Sequence, residues 1–414
     1  MGVEVSVMRG FAIPVLMGVL FVASCGGSGN TRSTEDTSAS SSAPIPVSTS
    51  TVPESTAIEI TVPPATPPAA ETAVDGTTTE NTIRPPAAVT VRYAAPVDLG
   101  TLPGGSKSMA VDINNSEVIV GFSYVGTFEQ YAVWWPDPTS GPQRLDGYLS
   151  LRVDTQQSIA HRVNDAGQIL VSAQPQAFVV DPVAGSSIEV VPPFDEGFQV
   201  RDLNEFGEVV GSVNIEWPDC GDDCEPNPIT RGFVWDSATG ETTIIGPLDG
   251  AESSAANSIN DLGQVVGASD GRPFIWDPDD GTMAELEVPE VEHLVWASAN
   301  DINNRGVIVG VAQYVTDAQG PSMRALIWDT TSGGVLDLSS VLAVDRAGAQ
   351  MLNDSAQVVL RMGQTGSDPW ILDLASNTVS MVPDVTFGYG VSINDHGQAA
   401  GMSAERAALW NPIA

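Results

Sequence analysis

Lysine is all but missing from this chain. Lys107 stands alone beside fifteen arginines and against 52 acidic residues, for a formal charge of −36 over 414 residues. A surface of that sign repels phosphate backbones instead of releasing their counterions, so no nucleic acid is expected as a partner. Histidine is nearly as scarce: His161, His293 and His396 lie far apart, and neither a Ser/His/Asp arrangement nor a Gly-x-Ser-x-Gly elbow accompanies them. They read as structural or solvent-exposed side chains. Cysteine occurs only as Cys25, Cys220 and Cys224, too few ligands for a structural zinc site. Asp277-Pro278-Asp279-Asp280-Gly281 resembles part of a calcium loop but lacks the full ligand spacing, and reads as a strand-to-strand turn. No metal and no cofactor is expected, and the chain is expected not to be an enzyme. Long helical periodicity is also missing, which argues against a helical fold.

What is present begins with a processing signal. Arg9 is followed by an apolar stretch from Phe11 to Val22 and then by Ala23-Ser24-Cys25-Gly26. The stretch is too short for a comfortable transmembrane helix. Residues 1–24 resemble a bacterial lipoprotein signal peptide, with Val22-Ala23-Ser24-Cys25 as the lipobox. That resemblance implies a diacylglycerol on Cys25, which becomes the mature N-terminus. The protein is then expected outside the cytoplasm, lipid-anchored to the cell membrane or outer membrane. Residues 25–94 are Ser, Thr, Pro and Ala with scattered acids and no apolar period, so they cannot repay the entropy of ordering and read as a disordered tether. About 70 residues reach roughly 45 Å as a flexible coil and roughly 200 Å when stretched.

The remainder, 95–414, is repetitive. "SINDLGQVVGAS" at Ser258–Ser269 returns as "SINDHGQAAGMS" at Ser392–Ser403, and a segment ending in Asn occurs seven times, closing at Asn114, Asn164, Asn204, Asn260, Asn303, Asn353 and Asn394. Each copy continues with a short turn, an apolar run, and a segment such as "RPFIWDP". Asn and Asp hydrogen-bond their own backbone in tight turns and Gly supplies the left-handed residue, so Asn-x-x-Gly between apolar runs is a hairpin. Gly167, Gly207, Gly263, Gly306 and Gly397 fill that position; Glu117 and Ala356 replace it, and those two turns are expected to be strained or differently shaped. Four short strands per unit of about 40 to 56 residues, seven times over, predict an all-β, seven-bladed β-propeller of four-stranded blades. The last copy lacks a fourth strand while "VDLGTLP" (97–103) has no blade before it, so the N- and C-terminal strands are expected to pair and close the ring. Trp135, Trp235, Trp276, Trp328 and Trp410 share one repeat position and are expected to pack between blades.

"DLGTLPGG" (98–105), the Ile-Asn-x-x-Gly turns and the "AFVVD", "GFVWD", "PFIWD" and "ALIWD" segments resemble the bacterial extracellular repeats called HAF, after a His-Ala-Phe tripeptide. The likeness spans the folded region and implies an exported repeat protein. The histidine itself is missing: the positions read Gln176-Ala177-Phe178, Arg231-Gly232-Phe233, Arg272-Pro273-Phe274 and Arg324-Ala325-Leu326.

Three copies carry insertions between their second and third strands: 123–131, 214–230 and 313–323. Variable loops on a repeating scaffold are where recognition tends to reside, which makes Tyr124, Phe128, Trp217, Asp219, Asp222, Asp223, Glu225 and Tyr314 the candidate binding surface. Cys220 and Cys224 are expected to form a disulfide in an oxidising compartment. The resulting expectation is a monomeric, membrane-anchored binding or scaffold module for a protein or glycan partner at the cell envelope. The alternative is a propeller hydrolase or lyase using acidic residues, which needs carboxylates converging on the channel together with a basic residue.

Overall fold

The Asn-x-x-Gly turns do what their chemistry predicts, and the architecture grows from them. In the fourth repeat Asn260 Oδ1 accepts the N–H groups of Leu262 and Gln264, at 3.1 and 3.0 Å, while Gly263 N–H returns to the Asn260 carbonyl. This turn joins the strands Ala255–Ile259 and Val265–Ser269; Arg272–Trp276 and Met283–Glu285 complete an antiparallel sheet. Glu117 and Ala356 adopt the same left-handed conformation as the glycines they replace, with φ of 63° and 61°. Those turns therefore keep the common shape, at the backbone cost that a side chain incurs there.

The computed structural model describes residues 58–59, 82–83, 89–90, 92–126, 128–152, 157–194, 197–216, 228–290, 293–316, 320–344, 346–362, 368–386 and 390–413. It is a seven-bladed β-propeller. Blade 1 opens with Gly105–Ile113, blade 2 with Ile159–Val163, blade 3 with Phe198–Leu203, blade 4 with Ala255–Ile259, blade 5 with Leu294–Ile302, blade 6 with Ala347–Leu352 and blade 7 with Ser392–Ile393. These first strands neighbour one another around the central channel. The first-to-second and third-to-fourth strand turns lie on one face, here the turn face. The second-to-third turns and the connections between blades lie on the other, the loop face.

Closure follows the expected exchange. Val97–Gly100 pairs with Arg406–Trp410 as the fourth strand of blade 7, and Lys107 bridges to Glu405 at 2.6 Å across the seam. The fold starts earlier than residue 95, however. Tyr93 is buried among Trp410, Ile393 and Val391, donates from its hydroxyl to the Gly397 carbonyl at 2.9 Å, and bridges to Pro412. Val89–Thr90 adds a short parallel strand to the outer edge of blade 6, at Thr378–Met381.

Among the described residues the apolar side chains form several separate clusters, which fill the wedges between successive blades. Leu99, Ile119 and Trp135 meet Ala400, Ala407 and Leu409 between blades 1 and 7, and Val120 and Trp134 meet Ala160, Ile169 and Phe178 between blades 1 and 2. The five tryptophans of the shared position are all buried there. Trp135 donates to the Leu99 carbonyl and Trp410 to that of Pro383, both at 2.8 Å, so each ties a third strand to the chain that arrives from the preceding blade.

A bulge recurs in the first strands, between Ala110 and Asp112, Val200 and Asp202, Ala256 and Ser258, Ala299 and Asp301, and Ala349 and Met351. In blade 2 the same slip leaves His161 as the extra residue. The bulge pushes a carbonyl against the second strand. A Cβ on Gly121 would lie 2.0 Å from the Met109 oxygen and one on Gly211 would lie 1.9 Å from that of Gln199, so neither position tolerates a side chain.

Candidate functional site

The turn face of the channel is built as two concentric hydrogen-bonded rings. In the inner one, each repeat asparagine donates from Nδ2 to the backbone carbonyl of the next repeat asparagine, from Asn114 round to Asn394 and back to Asn114. All seven bonds are present, at 2.7 to 3.2 Å. In the outer one, the following residue offers its side-chain oxygen to the backbone N–H of the preceding blade. Asn115, Asp165, Glu205, Asp261, Asn304, Asp354 and Asp395 form this second complete cycle at 2.6 to 3.0 Å. Both Glu205 and Asp354 are pushed above the ordinary carboxylate range, chiefly by burial and further by neighbouring ring carboxylates.

Beneath the rings, two residues before each asparagine, the sevenfold pattern breaks: Asp112, Arg162, Asp202, Ser258, Asp301, Met351 and Ser392 occupy this level. The acids stitch blades together, because Asp112 accepts from Val163 N–H, Asp202 from Ile259 N–H and Asp301 from Leu352 N–H. Arg162 pairs with Asp202 at 3.0 Å. Ser258 Oγ lies 2.7 Å from both Asp202 Oδ2 and Asp301 Oδ1. One hydroxyl carries one proton and cannot donate to two carboxylates, so the arrangement calls for a proton on one of the acids. Asp301 is the one that holds it, pushed up to about 7 by burial first and then by the charge of Asp202.

A cavity of about 250 Å³ opens above this trio, lined by Asp202, Ser258, Asp301 and the two rings. At the variable third position of the turns, next in sequence to the lining residues Glu205 and Asp261, Phe206 of blade 3 is 67% exposed and Leu262 of blade 4 is 64% exposed. The other turns carry Ser116, Ala166, Arg305, Ser355 and His396 there. Phe206 and Leu262 thus belong to the blades that supply Asp202 and Ser258. Among the described residues no group of three or more His, Cys, Asp or Glu side chains is placed to hold a metal ion. In the Asp277–Gly281 segment, Asp277 Oδ1 accepts Asp279 N–H and Asp280 Oδ1 accepts Thr282 N–H, the bonds of a self-capped turn.

The sequence-based candidate surface fares unevenly. Phe128 is 70% exposed on the loop face of blade 1, whereas Tyr124 is half-buried with its ring edge-on to Phe122. Tyr314 is corrected: it is fully buried, donates to the Pro289 carbonyl at 3.0 Å and lies under the Arg324 guanidinium. The insertion around it lengthens the hairpin of Val307–Thr316 and Gly320–Asp329 instead of forming a free loop, and the tyrosine packs beneath that extension. Trp217, Asp219, Asp222, Asp223, Glu225, Cys220 and Cys224, like Cys25, lie outside the described residues. The turn-face residues Phe206, Leu262, Asp202, Ser258 and Asp301 were not among the candidates. The available signal was the departure of Phe206 and Leu262 from the small or polar residues that other turns carry.

No family model matches the chain, and no curated protein matches it. Among solved structures, the extracellular domain of BT4673 from B. thetaiotaomicron is similar with a TM-score of 0.47 and 8% identity, over 77% of this chain and 40% of that one. This chain therefore spans well under half the length of that protein. An oligogalacturonate lyase in complex with manganese gives 0.48 and 15% identity over 78% and 96% of the two chains. The acylaminoacyl peptidase of Pyrococcus horikoshii gives 0.45 and 13% over 76% and 52%. These are likenesses of fold alone. They do correct one expectation: chains of similar fold include a lyase and a peptidase, so the lack of a familiar motif is no ground for setting catalysis aside. Among the described residues no helix is long and apolar enough to cross a membrane.

Proposed function

We propose that this protein is an extracytoplasmic binding module, anchored by a lipid on Cys25, carried on a tether, and engaging an envelope or extracellular partner, protein or glycan, at the turn face. The HAF-like repeats and the lipobox support the export and the anchor. The observation that carries the binding reading is the exposed Phe206 and Leu262 pair beside a polar cavity. Large apolar side chains on adjacent turns do nothing for the fold, and together with the acid-lined mouth they suit a ligand with both an apolar face and hydrogen-bond donors.

The test uses Cys25→Ser, which is expected to move the protein from the membrane to the soluble fraction; persistence in the membrane would remove the anchor from the reading. In that soluble background, Phe206→Ser with Leu262→Ser should lower retention on isolated cell envelopes at least tenfold, while Phe128→Ser leaves it unchanged. Equal retention of all three would refute the turn-face assignment.

A second reading, a hydrolase or lyase at the same mouth, is favoured by one observation: Asp202 and Asp301 flank a single hydroxyl, and burial together with the charge of Asp202 raises the proton affinity of Asp301, which suits it to act as an acid in that site. Asp301→Asn would then abolish turnover of a retained ligand while sparing its binding.

A further inference from the structure

We infer that the channel holds an oxyanion site, for a carboxylate or a group of similar size and charge, formed by Arg201, His161 and Ser172 below the acid level. The inference is independent of the turn-face reading. Arg201 is the extra residue of the blade 3 bulge, and the bulge places it on the innermost strand. Its side-chain partner is neutral, Gln199 Oε1 at 3.1 Å, and among the described residues it makes no ion pair. The neighbouring Arg162 differs, since Asp202 neutralises it. Arg201 is half-buried, and its proton affinity is lowered by burial first and then by the like charge of Arg162. In a chain with 52 acidic and 16 basic residues, a counter-ion was easily available, yet the fold sets two guanidinium groups side by side and pairs one. A half-buried, unpaired charge is costly and persists where a ligand completes it.

His161 occupies the corresponding bulge of blade 2, and its Nε2 lies 2.7 Å from Ser172 Oγ. Burial and then the charges of Arg162 and Arg201 hold it down at about 3, so it is neutral at every physiological pH. Both tautomers leave a donor for a ligand. If Ser172 donates to Nε2, the Nδ1–H is available; if Nε2–H donates, the serine hydroxyl is. A charged fork and a neutral donor on neighbouring inner strands match the needs of an oxyanion.

The experiment follows thermal melting of the Cys25→Ser full chain in sodium acetate, sodium sulfate and sodium chloride at constant ionic strength, beside the same chain with Arg201→Gln. Acetate and sulfate should raise the melting temperature of the first chain by a few degrees above chloride, saturably, and the gain should vanish with Arg201→Gln. Subtracting the variant removes the general salting effect of sulfate. In chloride, Arg201→Gln should melt at the same temperature or higher, because a repulsion has been relieved. An equal gain in both chains, no gain in either, or a lower melting temperature for Arg201→Gln in chloride would overturn the site and make Arg201 a structural residue.

Discussion

Replacing Asn260 by alanine removes one member of the inner ring and tests whether the ring holds the mouth together. The side chain accepts from Leu262 and Gln264 N–H and donates to the Asn303 carbonyl and to Gln264 Oε1. Asn260 is almost wholly buried, so alanine leaves two N–H groups and a carbonyl without this partner. At about 1–3 kcal/mol for each buried polar group so stranded, and with the lower part of that range applying where channel water reaches, the loss comes to about 3–5 kcal/mol. In a domain this large about 2 °C accompanies each kcal/mol, so melting should fall by about 6–10 °C. Asn260→Asp should also destabilise, because it keeps the acceptors but turns a carboxylate oxygen toward the Asn303 carbonyl. The control is Leu262→Ser, in the same turn but exposed, which should change stability by no more than about 0.5 kcal/mol. If Asn260→Ala melts within about 2 °C of that control, the ring is a decoration on a scaffold held by its wedges.

Deleting residues 1–104 removes Tyr93 and the strand Val97–Gly100, strips the Leu99 carbonyl from Trp135, and leaves an open edge on blade 7; deleting 1–88 removes neither, so the first should aggregate or melt far below the second, and equal melting would refute closure. Asp301 binds its proton more tightly folded, at about 7, than at its ordinary 3.8. Its contribution to stability is therefore full below about 4 and is lost as pH rises to about 7, by an amount on the order of a few kcal/mol. Asp301→Asn should flatten the decline measured by urea melts across that window, with Asp112, Glu205 and Asp354, also pushed up, leaving a residual slope. For Cys220 and Cys224, thiol titration of the unfolded, unreduced protein should find neither free; two titrating thiols would refute the bridge.

Blade count, hairpin turns and the exchanged closing strand were legible because each is written locally: Asn260-Asp261-Leu262-Gly263 announces its turn within four residues, and the orphan "VDLGTLP" announces its own missing blade. The rings were not, because the bond that Asn260 Nδ2 donates across the blade boundary runs to Asn303, a repeat away, and a turn signal says nothing of what its spare N–H reaches. Tyr314 was misjudged because an insertion reads the same whether it frees a loop or extends a hairpin. Arg201 looked unremarkable as one arginine among fifteen; only the bulge, which places it on the channel without an acid, gives it meaning.

The exchanged strand also decides how the molecule answers to force. Tension applied through the N-terminal segment reaches the propeller first at Val89–Thr90 on the edge of blade 6, next at the Tyr93 bridge to Pro412 and then at Val97–Gly100. Behind two short contacts, the strand that completes the circle lies directly on that line of force, so pulling on the N-terminal side loads the topological seam of the propeller and not the interior of any one blade.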